Sequence, residues 1–414
     1  MAKNGYVVGI DIGTKKVAAV IGEITEDRKI EVIGIGTADS KGLRKGVVVN
    51  LDITSAAIKK AQEEAELMAG VTIHSAFIGI SGAHIKSFNS RGVIAVSGKN
   101  REISRDDIRR VIEQSKAVSI PPDREIIHVI PQEFVVDEQD GIRDPRGMNG
   151  IKLEVNVHIV TAAVTLVQNL RTCVERAGIN IEQIVLNQIA TSAAVLTHDE
   201  KELGVGLIDI GAGTTEVAIF ERGSLWYTSI IPLGGDNFTN DIAVGLRTPI
   251  PDAEKIKKKF GCVISPATDD QETIEVPSVG KGRKPRVLSR QLLADIIEPR
   301  AEEIFRLVDS DIKRMGFEKS LNSGIVLTGG TALLEGLEEV AEEIFDVPVR
   351  RGDPTGVGGL LDRVSTPDFA TAVGLLHHGQ VRIREKGSIK DRKKGLFAKI
   401  KDLFKEETGG KYGE

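Results

Sequence analysis

The chain has 414 residues, more than one hydrophobic core usually covers, so two lobes or more are expected. With 41% apolar and 28% charged residues and 4% aromatics, its composition suits a soluble α/β protein, and no segment approaches the run of about 20 apolar residues that a membrane span needs. The net charge of −5 is uneven: between 381 and 405 ten Lys or Arg stand against Glu385, Asp391 and Asp402, so this segment carries +7 and the rest −12, which argues against a nucleic-acid-binding core. The first strand follows Met1 with no signal peptide before it, and the protein is expected to stay in the cytoplasm. Cys173 and Cys262 make no metal-ligand spacing and read as reduced and structural; the seven histidines are scattered, so a metal site built from side chains alone is not expected.

In chain order, Gly5 to Thr37 gives three strands: a run ending at Asp11, Val17 to Ile24, and Ile30 to Ile35. Thr54 to Ala69 has helical spacing and is closed by Gly70, and Ala76 to Ile80 is another apolar strand. From His84 to about Val164 the character changes. Short alternating strands (Ile85 to Phe88, Gly92 to Val96) precede a helix capped by Ser104; then come Pro121-Pro122, a run from Ile126 to Phe134, a Gly/Pro/Arg-rich loop over 140–150 and Leu153 to Val160. This reads as a small inserted subdomain with no phosphate signature, suited to contact with a partner or another copy of the chain. Leu166 to Ala177 and Ile184 to Leu196 read as helices.

Val205 to Ile210 is a buried-type strand that stops at Gly211-Ala212-Gly213-Thr214-Thr215, and Val217 to Phe220 restarts one. A carboxylate at the strand end, bare N–H groups in the turn and two hydroxyls beside it suit a phosphate. Glycine lets the backbone approach without a Cβ, successive N–H groups attract an anion, and Asp209 can hold a hydrated divalent cation through water. The same residues also make a plain hairpin. What favours the phosphate is a second copy, Asp11-Ile12-Gly13-Thr14, 198 residues earlier, because a duplication would set two such turns facing across a cleft. Beyond it, Leu225 to Pro232 is a strand, Phe238 to Leu246 a helix and Ala253 to Phe260 a basic helix. Residues 277–285 form a loop, Leu292 to Met315 a long helix containing Pro299, and Ile325 to Thr331 a strand running into a glycine turn before the helix Leu333 to Phe345.

Asp11, Asp209 and Gly329-Gly330, each at a strand end, resemble the two phosphate signatures and the adenosine signature of actin, heat-shock chaperones and sugar kinases. Within that superfamily the chain resembles the FtsA family of bacterial cell-division proteins over essentially its whole length. The resemblance is carried by Gly9 to Val17, Ile230 to Gly235, Glu275-Val276-Pro277-Ser278-Val279-Gly280, Ile296 to Arg300, Thr371 to Leu376 and the basic tail. It implies an α/β, actin-like two-lobed fold with a duplicated nucleotide-binding core, an inserted subdomain in the first lobe and a C-terminal amphipathic helix. The expected division is 1–83 with 165–190 and 367–385 (subdomain 1A), 84–164 (1C), 191–233 with 305–366 (2A), 234–304 (2B), a linker over 386–394 and the helix over 395–407.

The resemblance also implies a site for ATP and Mg2+. Gly13, Thr14 and Lys16 would meet the β- and γ-phosphates from one side and Gly211, Gly213, Thr214 and Thr215 from the other, with Asp11 and Asp209 near the metal through water. Gly235 would lie by the sugar, and Gly329, Gly330 and Thr331 would hold the adenosine. Glu254 and Lys257, at i, i+3 on one helix face, would take the ribose hydroxyls and cover the adenine, or else form a solvated ion pair. Relatives that hydrolyse ATP place a Gln or Glu before the second cradle; Asn187 and Gln188 stand there, and Gln188 is the candidate, with slow or negligible hydrolysis expected.

In the tail, Leu396, Phe397, Ile400, Leu403 and Phe404 draw one apolar stripe, with Lys399 and Lys401 off it. Such a helix suits an anionic membrane interface, each nearby cation adding roughly 1 kcal/mol, or docking on another protein. By resemblance the protein is expected to polymerise at the cytoplasmic face of the cell membrane at the division septum, to anchor FtsZ filaments by the FtsZ C-terminal tail, and to help recruit other division proteins. Arg286 and Arg290 are candidate FtsZ contacts or plain surface charge. A small-molecule kinase is the competing function; a chaperone would need a substrate domain, which 381–414 is too short to make.

Overall fold

The computed structural model describes residues 5–98, 100–264, 272–280 and 284–384. The linker, the amphipathic stripe and Lys399 and Lys401 lie outside the described residues. The chain opens with the hairpin of β1 (Gly5–Ile12) and β2 (Lys16–Ile24), continues into β3 (Ile30–Asp39), and makes a small antiparallel pair, β4 (Leu43–Arg44) and β5 (Val47–Val48). Helix α1 (Leu51–Ala69) starts where the Asn50 side chain accepts from the Ile53 N–H and ends where Gly70 turns left-handed at φ 68°, the stop its sequence calls for. Strand β6 (Ser75–Ile80) then lies parallel to β1.

The segment that follows is a sheet of its own. Strands β7 (Lys86–Ala95), β8 (Arg124–Val136), β9 (Gln139–Ile142) and β10 (Lys152–Ala163) pair antiparallel in the order β7-β10-β8-β9, with α2 (Arg105–Ser115) against them. The Ser104 cap forms, with Asp107 closing a reciprocal capping box. Val111, Phe134, Leu153, Val155, Val157 and Ile159 fill a separate small core. The chain returns to the first lobe through α3 (Val164–Arg176) and β11 (Asn180–Leu186), then α4 (Asn187–Val195) and α5 (His198–Leu203). The helix expected from Ile184 therefore begins at Asn187. Ile184-Val185-Leu186 is a buried, partly β-branched run that pairs in parallel with β6, and a run this short carries no period by which to tell strand from helix.

Strands β12 (Val205–Ile210), β13 (Thr215–Glu221) and β14 (Ser224–Ile231) repeat the opening of the chain, followed by α6 (Gly235–Gly245), α7 (Ile250–Phe260), the strand pair β15 (Thr273–Val276) and β16 (Arg286–Ser289), and α8 (Arg290–Arg314). Next come β17 (Ile325–Thr328), α9 (Leu337–Phe345), β18 (Val349–Arg351), β19 (Val357–Gly359), α10 (Leu361–Val364) and a helix over 370–384. Between β17 and α9 a short 3-10 turn at Gly330–Leu333 and Gly336 at φ 81° delay the expected helix start. The two large sheets run β11-β6-β1-β2-β3-β19 and β18-β17-β12-β13-β14. In each, a central strand pairs antiparallel with the strand after it and parallel with a strand far along the chain. That shared pattern is the internal duplication seen in the sequence. Ala190, Ala194 and Val195 of α4 and Ala372, Val373, Leu375 and Leu376 of the last helix pack in the core between the two sheets.

Candidate functional site

The two glycine turns are built alike: the Gly13 N–H donates to the Lys16 carbonyl at 3.0 Å and the Gly211 N–H to the Thr214 carbonyl at 2.9 Å. They face one another closely enough that a Cβ on Gly213 would lie 2.8 Å from Thr14 Oγ1. Between them and α7 opens a cavity of about 470 Å3, lined by Asp11, Gly13, Thr14, Lys16, Asp209, Gly211, Thr214, Gly235, Glu254, Lys257, Gly329, Gly330 and Thr331 among others. Most of the residues expected at a nucleotide thus share one chamber. Across its mouth Lys15 of the first lobe meets Asp236 of the second at 3.1 Å.

The floor is crowded with buried acid. Burial is the main cause that pushes Asp11 up to about 7, with Lys16 opposing and Asp209 adding to it. Burial likewise pushes Asp209 to about 6, against hydrogen bonds from Thr191 and Thr371. Glu216, opposite Asp209 in the β12–β13 ladder, is raised well above its ordinary value by burial and then by Asp209. One of its oxygens takes the Ser81 hydroxyl from the first lobe, while Glu216 Oε2 and the neighbouring Asn187 Oδ1 are buried without a partner among the described residues. Such a floor fits a cation. Among the described residues no three His, Cys, Asp or Glu side chains form a set able to hold a metal by themselves, so the ion that fits is one bringing water and phosphate as ligands. Lys16 lines the chamber but is held by Asp368, with Nζ 2.6 Å from Oδ2 and over the Phe369 ring at 3.6 Å.

At the far end Lys257 is 9% exposed and donates to the Gly235 carbonyl and to Thr239 Oγ1, each at 2.8 Å, while pairing with Glu254 at 2.9 Å. Burial opposes it, yet Lys257 and the Thr239 hydroxyl hold Glu254 down to about 2. This pair is part of the chamber wall and not a solvated surface bridge. A Cβ on Gly235 would sit 2.7 Å from Thr331 Oγ1, and Gly329, at φ 85°, would drive one to 2.3 Å from Asp209 Oδ1. Both positions require glycine.

The geometry corrects the chamber assignments of Gln188, Thr215 and Gly213. Gln188 does not line the chamber: α4 presents Asn187 to it, and the Gln188 amide donates to the Ser229 carbonyl at 3.3 Å. Thr215, fully buried, points back to the Leu233 carbonyl at 3.0 Å, and Gly213 packs on Thr14 behind the wall. Arg286 donates to the Leu246 and Arg247 carbonyls, and Arg290 is 18% exposed, bridging Glu272 and Glu335 at 2.8 Å each, so both guanidiniums hold the β15–β16 pair to the lobe. Ser81, Glu216, Asp368 and Thr371 also line the chamber, and the sequence assigns them no site role. Thr371 opens the run Thr371 to Leu376 and Glu216 directly follows the second glycine turn, which is the signal the sequence offers, whereas Asp368 and Ser81 reach the chamber only through the tertiary fold.

The family description "Cell division protein FtsA" matches residues 206–374, and "SHS2 domain inserted in FTSA" matches residues 82–161, the segment of the separate four-stranded sheet. The chain is similar to the cell division protein FtsA of Pseudomonas aeruginosa, 51% identical over 373 residues that cover 90% of this chain and 89% of that one. It is also similar to that of Neisseria meningitidis, 46% identical over 96% of this chain and 97% of the relative. Among solved structures, a PilM-PilN type IV pilus biogenesis complex superposes with a TM-score of 0.65 at 16% identity over 90% of this chain and 98% of that chain. MreB5 of Spiroplasma citri bound to ADP does so with a TM-score of 0.55 at 14% identity over 94% and 98%. The fold is actin-like, two duplicated sheets with an SHS2 domain inserted in the first lobe, and the chain belongs to the FtsA family of cell division proteins.

Proposed function

We propose that this division protein binds ATP with Mg2+ between its two glycine hairpins. The observation carrying this is the single chamber with an anion-attracting turn on each side, buried carboxylates at the floor and the enclosed Glu254–Lys257 pair at the far end. The hairpin N–H groups and the Thr14 and Thr214 hydroxyls take the phosphates, Asp11 and Asp209 orient water around the metal, and Glu254 accepts from the ribose. Mg2+, when bound, spreads charge over the phosphate oxygens. That the MreB5 structures hold ADP or AMPPNP supports the same occupant here. Hydrolysis is slow or negligible, since the helix before the second cradle offers the chamber the short amide Asn187.

In this reading the protein polymerises on the cytoplasmic face of the cell membrane at the septum, held there by the basic amphipathic segment after 394, and ties FtsZ to it. Polymerisation multiplies a weak single-helix attachment by avidity. The subdomain boundaries expected from the sequence belong to the same proposal. Titration with a fluorescent ATP analogue in Mg2+ tests the core of it. Saturable binding that unlabelled ATP displaces and Lys257→Ala weakens is the expected result; no saturable binding by the wild-type chain overturns it. Sedimentation with anionic vesicles, comparing the full chain with one stopped after Lys390, tests the attachment: equal pelleting would remove the tail from the account.

A further inference from the structure

The inserted domain is covalently attached to the first lobe alone, leaving it after β6 and returning at α3, yet it is seated on the second lobe through polar groups. Ser87 Oγ donates to the Thr228 carbonyl at 3.0 Å, and the Thr228 hydroxyl meets Ser87 Oγ and His158 Nε2, also at 3.0 Å each. His158 Nδ1 donates to Asn89 Oδ1 at 2.7 Å. Gln132 Nε2 donates to the Leu225 carbonyl at 3.1 Å, and Ser224 Oγ returns a bond to the Gln132 carbonyl at 2.9 Å. All the second-lobe groups here lie on β14. Interfaces of this polar kind between domains are remade more readily than interdigitated cores.

Strand β14 also reaches the nucleotide chamber. Its downstream end runs into Gly235 on the chamber wall, and Ser229, next to Thr228, accepts from Gln188. Gln188 follows Asn187 at the start of α4, and the two side chains go opposite ways, Asn187 to the chamber and Gln188 to β14. Asn187 Oδ1 and Gln188 Oε1 are both buried without a partner among the described residues, so this first turn of α4 lacks part of the hydrogen bonding it needs. A triphosphate has no hydrogen to offer Asn187 Oδ1; the water around a phosphate-bound cation has.

We infer that Gln188 is a positioning residue that couples occupancy of the nucleotide chamber to the seating of the inserted domain on β14. This rests on the nucleotide reading above. When the chamber fills, Asn187 gains its donor, the first turn of α4 settles, and the Gln188–Ser229 bond carries that change to the Thr228–Ser87–His158 contacts. The inserted domain then sits more firmly with nucleotide than without.

Hydrogen–deuterium exchange on the full chain, with and without ATP and Mg2+, reads this directly. In the wild type ATP should slow exchange of the 86–95 and 224–231 amides about fivefold or more, the lower range of coupling between sites. Gln188→Leu, close in volume and lacking the amide, should bind the fluorescent ATP analogue with unchanged affinity and lose the slowing at 86–95. Thr228→Val, at the other end of the relay, should do the same and serves if the first variant fails to fold. Trp226, the one tryptophan of the chain, lies on β14 and gives a second readout through its emission. Undiminished slowing in both variants overturns the coupling, as does a wild type that binds the analogue with no change at 86–95. Failure of the wild type to bind the analogue at all removes the nucleotide reading itself, a result the titration separates from the other two.

Discussion

Asp11 shows what a single buried charge does to this cleft. Its folded value of about 7 lies far above the ordinary 3.8, so the folded, nucleotide-free chain holds a proton there that the unfolded chain gives up. Stability from that proton is present below about pH 4 and lost as pH rises through 7, a cost of roughly 4 kcal/mol at saturation. Asp11→Asn should therefore raise the melting temperature of nucleotide-free protein at pH 8 by a few degrees while abolishing the further rise that ATP and Mg2+ give the wild type; thermal melts with and without nucleotide check both. Gly235→Val should remove binding of the ATP analogue with the circular dichroism unchanged, because its side chain meets Thr331 and Lys257 at the wall. Lys257→Ala takes from the enclosed Glu254 the nearer of its two cations and leaves Lys258 Nζ at 3.5 Å from Oε1, which costs up to about 3 kcal/mol, measurable as a shift in the urea midpoint. At this scale the hairpin glycines and aspartates were legible because the backbone itself makes that part of the site. Gln188 and Asn187 were not told apart, since neighbouring helical positions differ by about 100° in direction and one residue of register decides which faces the cleft.

The elements carry their own pH dependence. His158 on β10 is pushed by burial down to about 4, and His128 on β8, whose Nε2 accepts from the Leu186 N–H at 3.0 Å, to about 3. Between the ordinary 6.5 and these values the unfolded chain binds protons that the folded one refuses. Stability from each is full above pH 6.5 and falls as pH drops toward 4, by roughly 3 kcal/mol for His158. Urea midpoints at pH 7 and 5 should fall less steeply for His158→Gln than for the wild type, even though the variant starts lower at pH 7. Where the sequence marks a cap the bound is readable: Ser104 and Gly70 act as the sequence says, whereas the helix expected from Thr54 starts at Leu51 behind the Asn50 cap. Where a helix follows a buried strand with no cap between, as at Leu186–Asn187, nothing local marks the junction.

For the molecule as a whole, the duplication made the fold legible, because two copies of one hairpin pattern 198 residues apart imply two like sheets. The seat of the inserted sheet on β14 was not legible. It joins Ser87 to Thr228 over 141 residues through hydroxyls and an imidazole, side chains common on any surface.

The last described helix, 370–384, gives the chamber between the two glycine hairpins a mechanical address. Its buried face is clamped between the two sheets, Gln380 and Arg384 donate to the Arg28 carbonyl at 2.8 and 2.7 Å, and its start carries Thr371 on the chamber wall, just after Asp368. Any tension on the chain beyond 384 is borne by the helix that supplies part of the cleft lining. Tugging on that end in an optical trap should change how long a labelled ATP stays bound, whereas the same force applied through the inserted domain at 140–150 should do so only when Gln188 is intact.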